Sequence, residues 1–132
     1  MKKLLTALSV CLLSACTHQA ATEQLDSGTY LLQNAMNGAE ISISFNPAEH
    51  GFAGKAAVNR YFGSYTENGN KLKLNPAGST MMMGPRPLMQ AERDFLQTLD
   101  KIAAFNRDGD TLTLTTSDGK TLVFKRGEEK ND

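Results

Sequence analysis

The sequence predicts a mainly β fold: a small, strongly curved antiparallel meander, barrel-like, with one α-helix packed against it. Three observations carry this expectation. From Ser27 onward, apolar and polar residues alternate in short runs, the period of half-buried strands. The dipeptides Asn37-Gly38, Asn68-Gly69, Asp108-Gly109 and Asp118-Gly119 fall between those runs, and such pairs are strong hairpin signals. One segment alone, Pro87 to Ala104, changes to helical spacing.

Taken in order, each turn predicts a pairing. With Asn37-Gly38 as a two-residue loop, Tyr30 meets Phe45 and Leu32 meets Ile43. Asn68-Gly69 sets Tyr65 against Leu72 and Gly63 against Leu74. Asp108-Gly109 sets Phe105 against Leu112 and Ala103 against Leu114. Each puts apolar positions on one face, as cross-strand packing requires. Asp118-Gly119 breaks the rule as a two-residue loop, because Leu122 would then face Thr115. A three-residue loop, Ser117-Asp118-Gly119, repairs the register and pairs Leu114 with Leu122 and Leu112 with Phe124. In the helical segment Leu88, Ala91, Phe95, Leu99 and Ile102 recur at three and four residues, forming one apolar face, and Pro87 suits a first helical turn. Leu32, Ile43, Phe45, Leu74, Phe95, Leu99, Leu112, Leu114 and Phe124 are expected to share one core.

Length and charge bound the function. The chain has 132 residues and a formal charge of +0, so it lacks the basic footprint of a nucleic-acid binder. No apolar run approaches the ~20 residues that span a bilayer as a helix. The opening "MKKLLTALSVCLLSAC" places two lysines before an apolar stretch from Leu4 to Leu13 and then small residues, the layout of a secretory signal. It ends in Leu13-Ser14-Ala15-Cys16, which resembles the lipobox of bacterial lipoproteins. That resemblance implies cleavage between Ala15 and Cys16, a diacylglycerol on the Cys16 thiol and acylation of the new amine. Each buried CH₂ contributes ~0.8 kcal/mol, so two or more acyl chains anchor stably. Thr17 stands where lipoproteins of the inner membrane usually carry Asp, so the resemblance implies the outer membrane, with the domain facing the periplasm.

The expected organisation is a signal peptide at 1–15, a lipidated N-terminus and flexible tether at 16–27, a folded domain at 28–126 and a polar tail at 127–132. Cys11 leaves with the signal and Cys16 carries lipid, so the domain has no thiol and must be held by its core alone. Loss of Lys2 and Lys3 leaves 12 basic against 14 acidic residues. His18 falls in the tether, where solvation is the expected state.

Few residues suggest chemistry. His50, beside Glu49 in "NPAEHGF", is the domain's lone candidate base, and adjacency in sequence does not make a dyad. No P-loop, dinucleotide fingerprint or metal cluster is present. "GSTMMMGPRPLM", Gly78 to Met89, gathers four of the six methionines. Thioethers suit Cu(I), but such a site wants His or Cys nearby or a spaced M-x-x-M array. If the run continues a strand, Met81, Met82 and Met83 alternate faces. Met82 is then expected between sheet and helix, with its neighbours outward as a sticky patch for a protein. Glu92, near the edge of the helix's apolar face, is expected to reach back to backbone N–H groups around Thr80–Gly84 rather than to act as an acid.

From about Tyr30 to Arg126 the chain resembles the META domain family of HslJ-type heat-inducible lipoproteins. The carrying stretches are "NGAEISISF", "GFAGKAAVNRYFGSY", "NGNKLKL", "GSTMMM" with "LMQAERDFLQTL", "GDTLTL" and "GKTLVFKR". Asn59, Gly63, Tyr65, Thr80, Met82, Glu92 and Phe95 occupy the family's motif places. Many members carry one cysteine before the Asn and another two residues after the methionine; here these are Val58 and Gly84. The joint absence fits a lost disulfide. The resemblance implies the same fold and a non-catalytic, envelope-tethered module that binds an unidentified envelope protein, in stress, antibiotic tolerance or secretion. No cofactor, metal or nucleic acid is expected; the other contact is the bilayer, through acyl chains on Cys16. The alternative is a carrier of a small apolar ligand inside a closed meander, although the inward residues would fill that space.

Overall fold

The computed structural model describes residues 23–130. Eight strands form a closed antiparallel barrel in sequence order: β1 (Thr29–Leu32), β2 (Ser42–Asn46), β3 (Gly51–Ala56), β4 (Asn59–Asn68), β5 (Lys71–Ser79), β6 (Ile102–Asp108), β7 (Thr111–Thr116) and β8 (Thr121–Arg126). Strand β8 closes on β1, with Tyr30 beside Arg126 and Leu32 beside Phe124. Closure removes the exposed edges that an open meander would present. The helix, α1 (Arg86–Leu99), lies between β5 and β6 in sequence, where the barrel seam is thinnest, with Lys71 opposite Ala104 as its paired position.

Inward positions fill the interior. Tyr30, Ile43, Phe45, Phe52, Tyr61, Tyr65, Leu72, Leu74, Phe105, Leu112, Leu114 and Phe124 are all buried in one cluster with Phe95 and Leu99 of α1. Leu32 and Leu122 pack against that cluster half-buried. Among the described residues these side chains occupy the barrel interior, as expected of eight strands. The Phe95 ring lies 5.5 Å from Tyr61 on β4 and 6.4 Å from Phe124 on β8. It thus bridges strands that are not neighbours, and α1 closes one mouth of the barrel.

The hairpins keep the predicted faces but not all the registers. Tyr30 pairs with Ile43, Tyr65 with Leu74 and Phe105 with Leu114, each two residues from expectation. The cause is the glycine. In the β4–β5 and β6–β7 turns Gly69 (φ 61°) and Gly109 (φ 58°) take positive φ as the first loop residue, not the second, which is the II′ arrangement. A shift of two preserves every side chain's face. Asn37 and Gly38 also take positive φ, but within a longer loop whose Asn37 side chain donates to Pro87 O at 2.8 Å. The three-residue loop after β7 is as predicted: Leu114 pairs with Leu122 and Leu112 with Phe124.

Helix α1 stops at Leu99, short of the predicted Ala104. Ile102 is buried as expected, but it opens β6 instead of extending the helix face.

The described parts of the expected tether and tail, residues 23–27 and 127–130, lie against the barrel. Residues 23–28 cross the mouth opposite α1. Glu23 N donates to Arg107 O at 3.2 Å, Arg107 Nε donates to Gln24 O at 2.6 Å, and Leu25 is buried in the core cluster. Asp26 accepts from the Tyr30 hydroxyl at 2.8 Å and from Arg126 at 2.5 Å, while the Arg126 guanidinium stacks 4.9 Å above the Tyr30 ring. At the other end, Gly127 N donates to Thr29 O, so the tail follows the barrel wall. The signal peptide, Ala15, Cys16 and His18 lie outside the described residues.

Candidate functional site

The methionine run sits where β5 hands the chain to α1. Strand β5 ends at Ser79, and residues 80–85 have no regular structure. Strand alternation therefore does not extend to Met81–Met83. All three side chains stand out: Met81 is 89 % exposed, Met82 55 % and Met83 87 %. The expectation that Met82 is buried is wrong. Phe62, on the outward side of β4 opposite Gly78, adds another exposed large apolar side chain.

The main chain beneath is held firmly, and Asn59 holds it. Its Oδ1 accepts from Met82 N at 2.6 Å and from the Thr80 hydroxyl at 2.9 Å. Its Nδ2 donates to Met82 O at 3.1 Å and to Glu92 Oε2 at 2.8 Å. The Asn59 amide thus offers Met82 the two hydrogen bonds that a paired strand residue would. Both donors and both lone pairs are used, which satisfies a buried amide completely. Next to it, Thr80 N donates to Arg60 O at 2.9 Å, and Arg60 N donates to Thr80 Oγ1 at 3.1 Å.

Glu92 completes the clamp. It is buried on α1, and its Oε1 accepts from Asn59 N at 2.6 Å and Val58 N at 3.2 Å. Instead of the backbone around 80–84, as expected from its place on the helix, it reaches the β3–β4 turn, and Asn59 relays the hold to Met82. The turn needs that support. Ala57 takes φ 63° with Val58 N bonded to Ala56 O at 2.7 Å, a γ-turn with positive φ at its centre, which is rare and strained. A carboxylate accepting backbone N–H groups makes charge-assisted bonds, about twice as strong as neutral ones.

Gly84 packs on the same turn. A Cβ built there would lie 3.4 Å from Val58 Cβ, close to the spacing of a disulfide. The two positions named from the family pattern are therefore neighbours in space.

His50 does not join the site. It lies in the β2–β3 turn with φ 51°, its ring 5.7 Å from Tyr65, while Glu49 accepts from Asn46 Nδ2. Among the described residues the buried Tyr65 hydroxyl meets no hydrogen-bond partner; burial pushes its pKa up, and Glu67 adds to the rise. A half-open groove of about 340 Å³ lies between α1, the loop after β1 and the β7–β8 hairpin. Among the described residues no three His, Cys, Asp or Glu side chains are grouped to hold a metal ion, and no helix is long and apolar enough to cross a membrane.

A family model described as META domain matches residues 18–129. A protein from Burkholderia xenovorans, solved by NMR, superposes with a TM-score of 0.68 at 27% identity, over 83% of this chain and 88% of that one. A DUF4847 family protein from Bacteroides vulgatus, a crystal structure, gives 0.59 at 13% identity, over 79% of this chain and 95% of its own. The latter likeness is one of fold alone. The search of curated proteins gives no match.

Proposed function

This chain belongs to the META domain family, and on that premise we propose that it is a lipid-anchored, non-catalytic interaction module of the bacterial envelope whose methionine ridge docks a protein partner. One observation carries the reading: the main chain of Met82 is bonded on both sides by Asn59, yet the three methionine side chains are exposed. A run that served only to fill the core would bury its thioethers. Adjacent exposed apolar side chains on a fixed backbone are what a contact surface needs, and methionine adapts its shape to a partner at low cost.

The anchor supports the orientation. Lipidation at Cys16, after cleavage behind Ala15, would leave seven residues before Glu23, a reach of at most about 25 Å. Glu23 is fixed at the mouth opposite α1. The acyl chains would hold that end toward the outer membrane and turn the ridge toward the periplasm, where a partner in envelope stress, antibiotic tolerance or secretion would meet it.

Photo-crosslinking residues placed in intact cells at Met81 and Met83, with Val123 on the far wall as control, test the docking face. A discrete protein adduct from the ridge and none from Val123 is the expected result. Equal labelling, or none from the ridge, would remove this reading. Labelling with a fatty-acid analogue, lost in Cys16→Ser, tests the anchor separately.

A further inference from the structure

The wall beside the ridge carries a second built feature. Past β8 the tail crosses the outside of β1, and Lys130 N donates to Glu40 Oε1 at 2.9 Å. Between these points Glu129 is seated in a notch. Its Oε1 accepts from the Ser42 hydroxyl at 2.6 Å, and Arg60 Nη1 lies 2.9 Å from Oε2 and Nη2 3.5 Å from Oε1. Ser42 is on the outward side of β2, yet it is 0 % exposed. Its hydroxyl also accepts from Lys55 N at 3.0 Å, so its proton is directed at the carboxylate. Behind it, the Tyr61 hydroxyl donates to Ser42 O at 2.6 Å. Only glycine fits opposite, since a Cβ at Gly54 would come within 2.1 Å of Ser42 O. A fixed hydroxyl and a guanidinium make a receptor for a carboxylate, and the Glu129 carboxyl is held below its usual range by the hydrogen bonds from Arg60 and then Ser42.

This notch adjoins the ridge. Arg60, which grips the carboxylate, is the residue whose main chain pairs with Thr80, and Met81 follows directly. We propose that the notch is the carboxylate-recognition subsite of the ridge, occupied in cis by Glu129, and that an acidic residue of the protein segment docking on Met81–Met83 takes its place. The proposal rests on the ridge being a docking face. The cis occupant is displaceable: Arg60 is 57 % exposed at its side chain, and such ion pairs contribute roughly 0–1 kcal/mol. It nevertheless acts at an effective concentration in the mM range. An acidic residue alone would compete poorly. A segment that adds apolar contact with the methionines would succeed, so the notch selects for a partner bearing both.

A fluorescent peptide of residues 126–132 is the probe, titrated against the full-length chain, its Glu129→Ala variant and Glu129→Ala with Arg60→Gln, all checked for folding by circular dichroism. The expected result is binding at least about 10-fold tighter to Glu129→Ala than to the unaltered chain, given the competing cis carboxylate. Adding Arg60→Gln, or replacing both peptide glutamates by glutamine, should abolish it. Equal affinity for the unaltered chain and Glu129→Ala, or indifference to Arg60, would overturn the notch. In cells, the adduct from position 83 should rise in Glu129→Ala and fall in Arg60→Gln. An adduct insensitive to both changes overturns the notch and leaves the ridge standing; no adduct in any chain removes both.

Discussion

At one mouth of the barrel a 14-residue helix lies across the opening; at the other, residues 23–28 of irregular chain do so with one leucine and a set of charges. The helix inserts Phe95 and Leu99 into the core and ties its Glu92 to buried backbone donors. The N-terminal segment inserts Leu25 and binds through Glu23 and Asp26 to Arg107 and Arg126, in pairs that stay partly open to solvent. Buried apolar area and satisfied buried donors resist solvent, whereas exposed ion pairs contribute little. The helix end should therefore be the rigid one, and it is the end that presents the methionines. The N-terminal end is the weaker seal, at the point where the lipid tether would pull.

Phe95→Ala breaks the comparison most severely. It removes a ring that touches both Tyr61 and Phe124 and should cost about 3–5 kcal/mol in denaturant melts. Leu25→Ala is the matching change at the other mouth and should cost about 1–2 kcal/mol, since a short segment can fray and relax the cavity. Equal costs would contradict the asymmetry.

The double change Val58→Cys with Gly84→Cys sharpens the comparison from the other side. The built Cβ spacing predicts spontaneous oxidation, with a gain of roughly 2–4 kcal/mol over the reduced form. Failure to oxidise in a folded chain would mean that the junction is not arranged as described.

A pH series isolates the N-terminal seal. Burial alone would raise the Asp26 carboxyl, but hydrogen bonds from Arg126, Tyr30 and Gly28 N outweigh it and hold its pKa at about 2. A depressed carboxyl stabilises the folded state above its unfolded value of about 3.9, and that contribution is lost as pH falls toward about 2. The stability difference between the unaltered chain and Asp26→Asn should thus be constant from pH 7 to 5 and shrink between pH 4 and 2. A difference that persists at pH 2 would assign Asp26 another role. Its size should be small, about 1 kcal/mol or less, because both side chains are more than a third exposed and solvent screens the pair.

What the sequence conveyed follows the same physics. The helix was legible because its apolar spacing departs from the strand period, and the faces of the strands were legible because period-2 patterning survives a two-residue shift. The registers at Asn68-Gly69 and Asp108-Gly109 were not, since Asn-Gly and Asp-Gly do not say which loop position the glycine takes, whereas at Asp118-Gly119 the apolar pattern itself required the three-residue loop. "THQAATEQLD" has no period and so reads as tether; the core cluster around Leu25 and the partners Arg107 and Arg126, far along the chain, fix it in place. The role of Glu92 was legible in kind, as a carboxylate serving backbone donors, but its partner required knowing that Ala57 makes a strained turn. Met82 was misplaced by carrying strand alternation past Ser79. The seat of Glu129 left no trace in sequence, because a tail of charged residues ordinarily reads as solvated.

The central claim is that a polar clamp fixes the ridge backbone while leaving its side chains free. Amide hydrogen exchange at Met82 tests it most directly. With Met82 N bonded to the buried Asn59 amide, its exchange should be slowed to the range of the β4 amides, and the change Asn59→Ala should release it. A Met82 amide that exchanges freely in the unaltered chain would make the run a loose loop without a fixed surface, and would contradict the account.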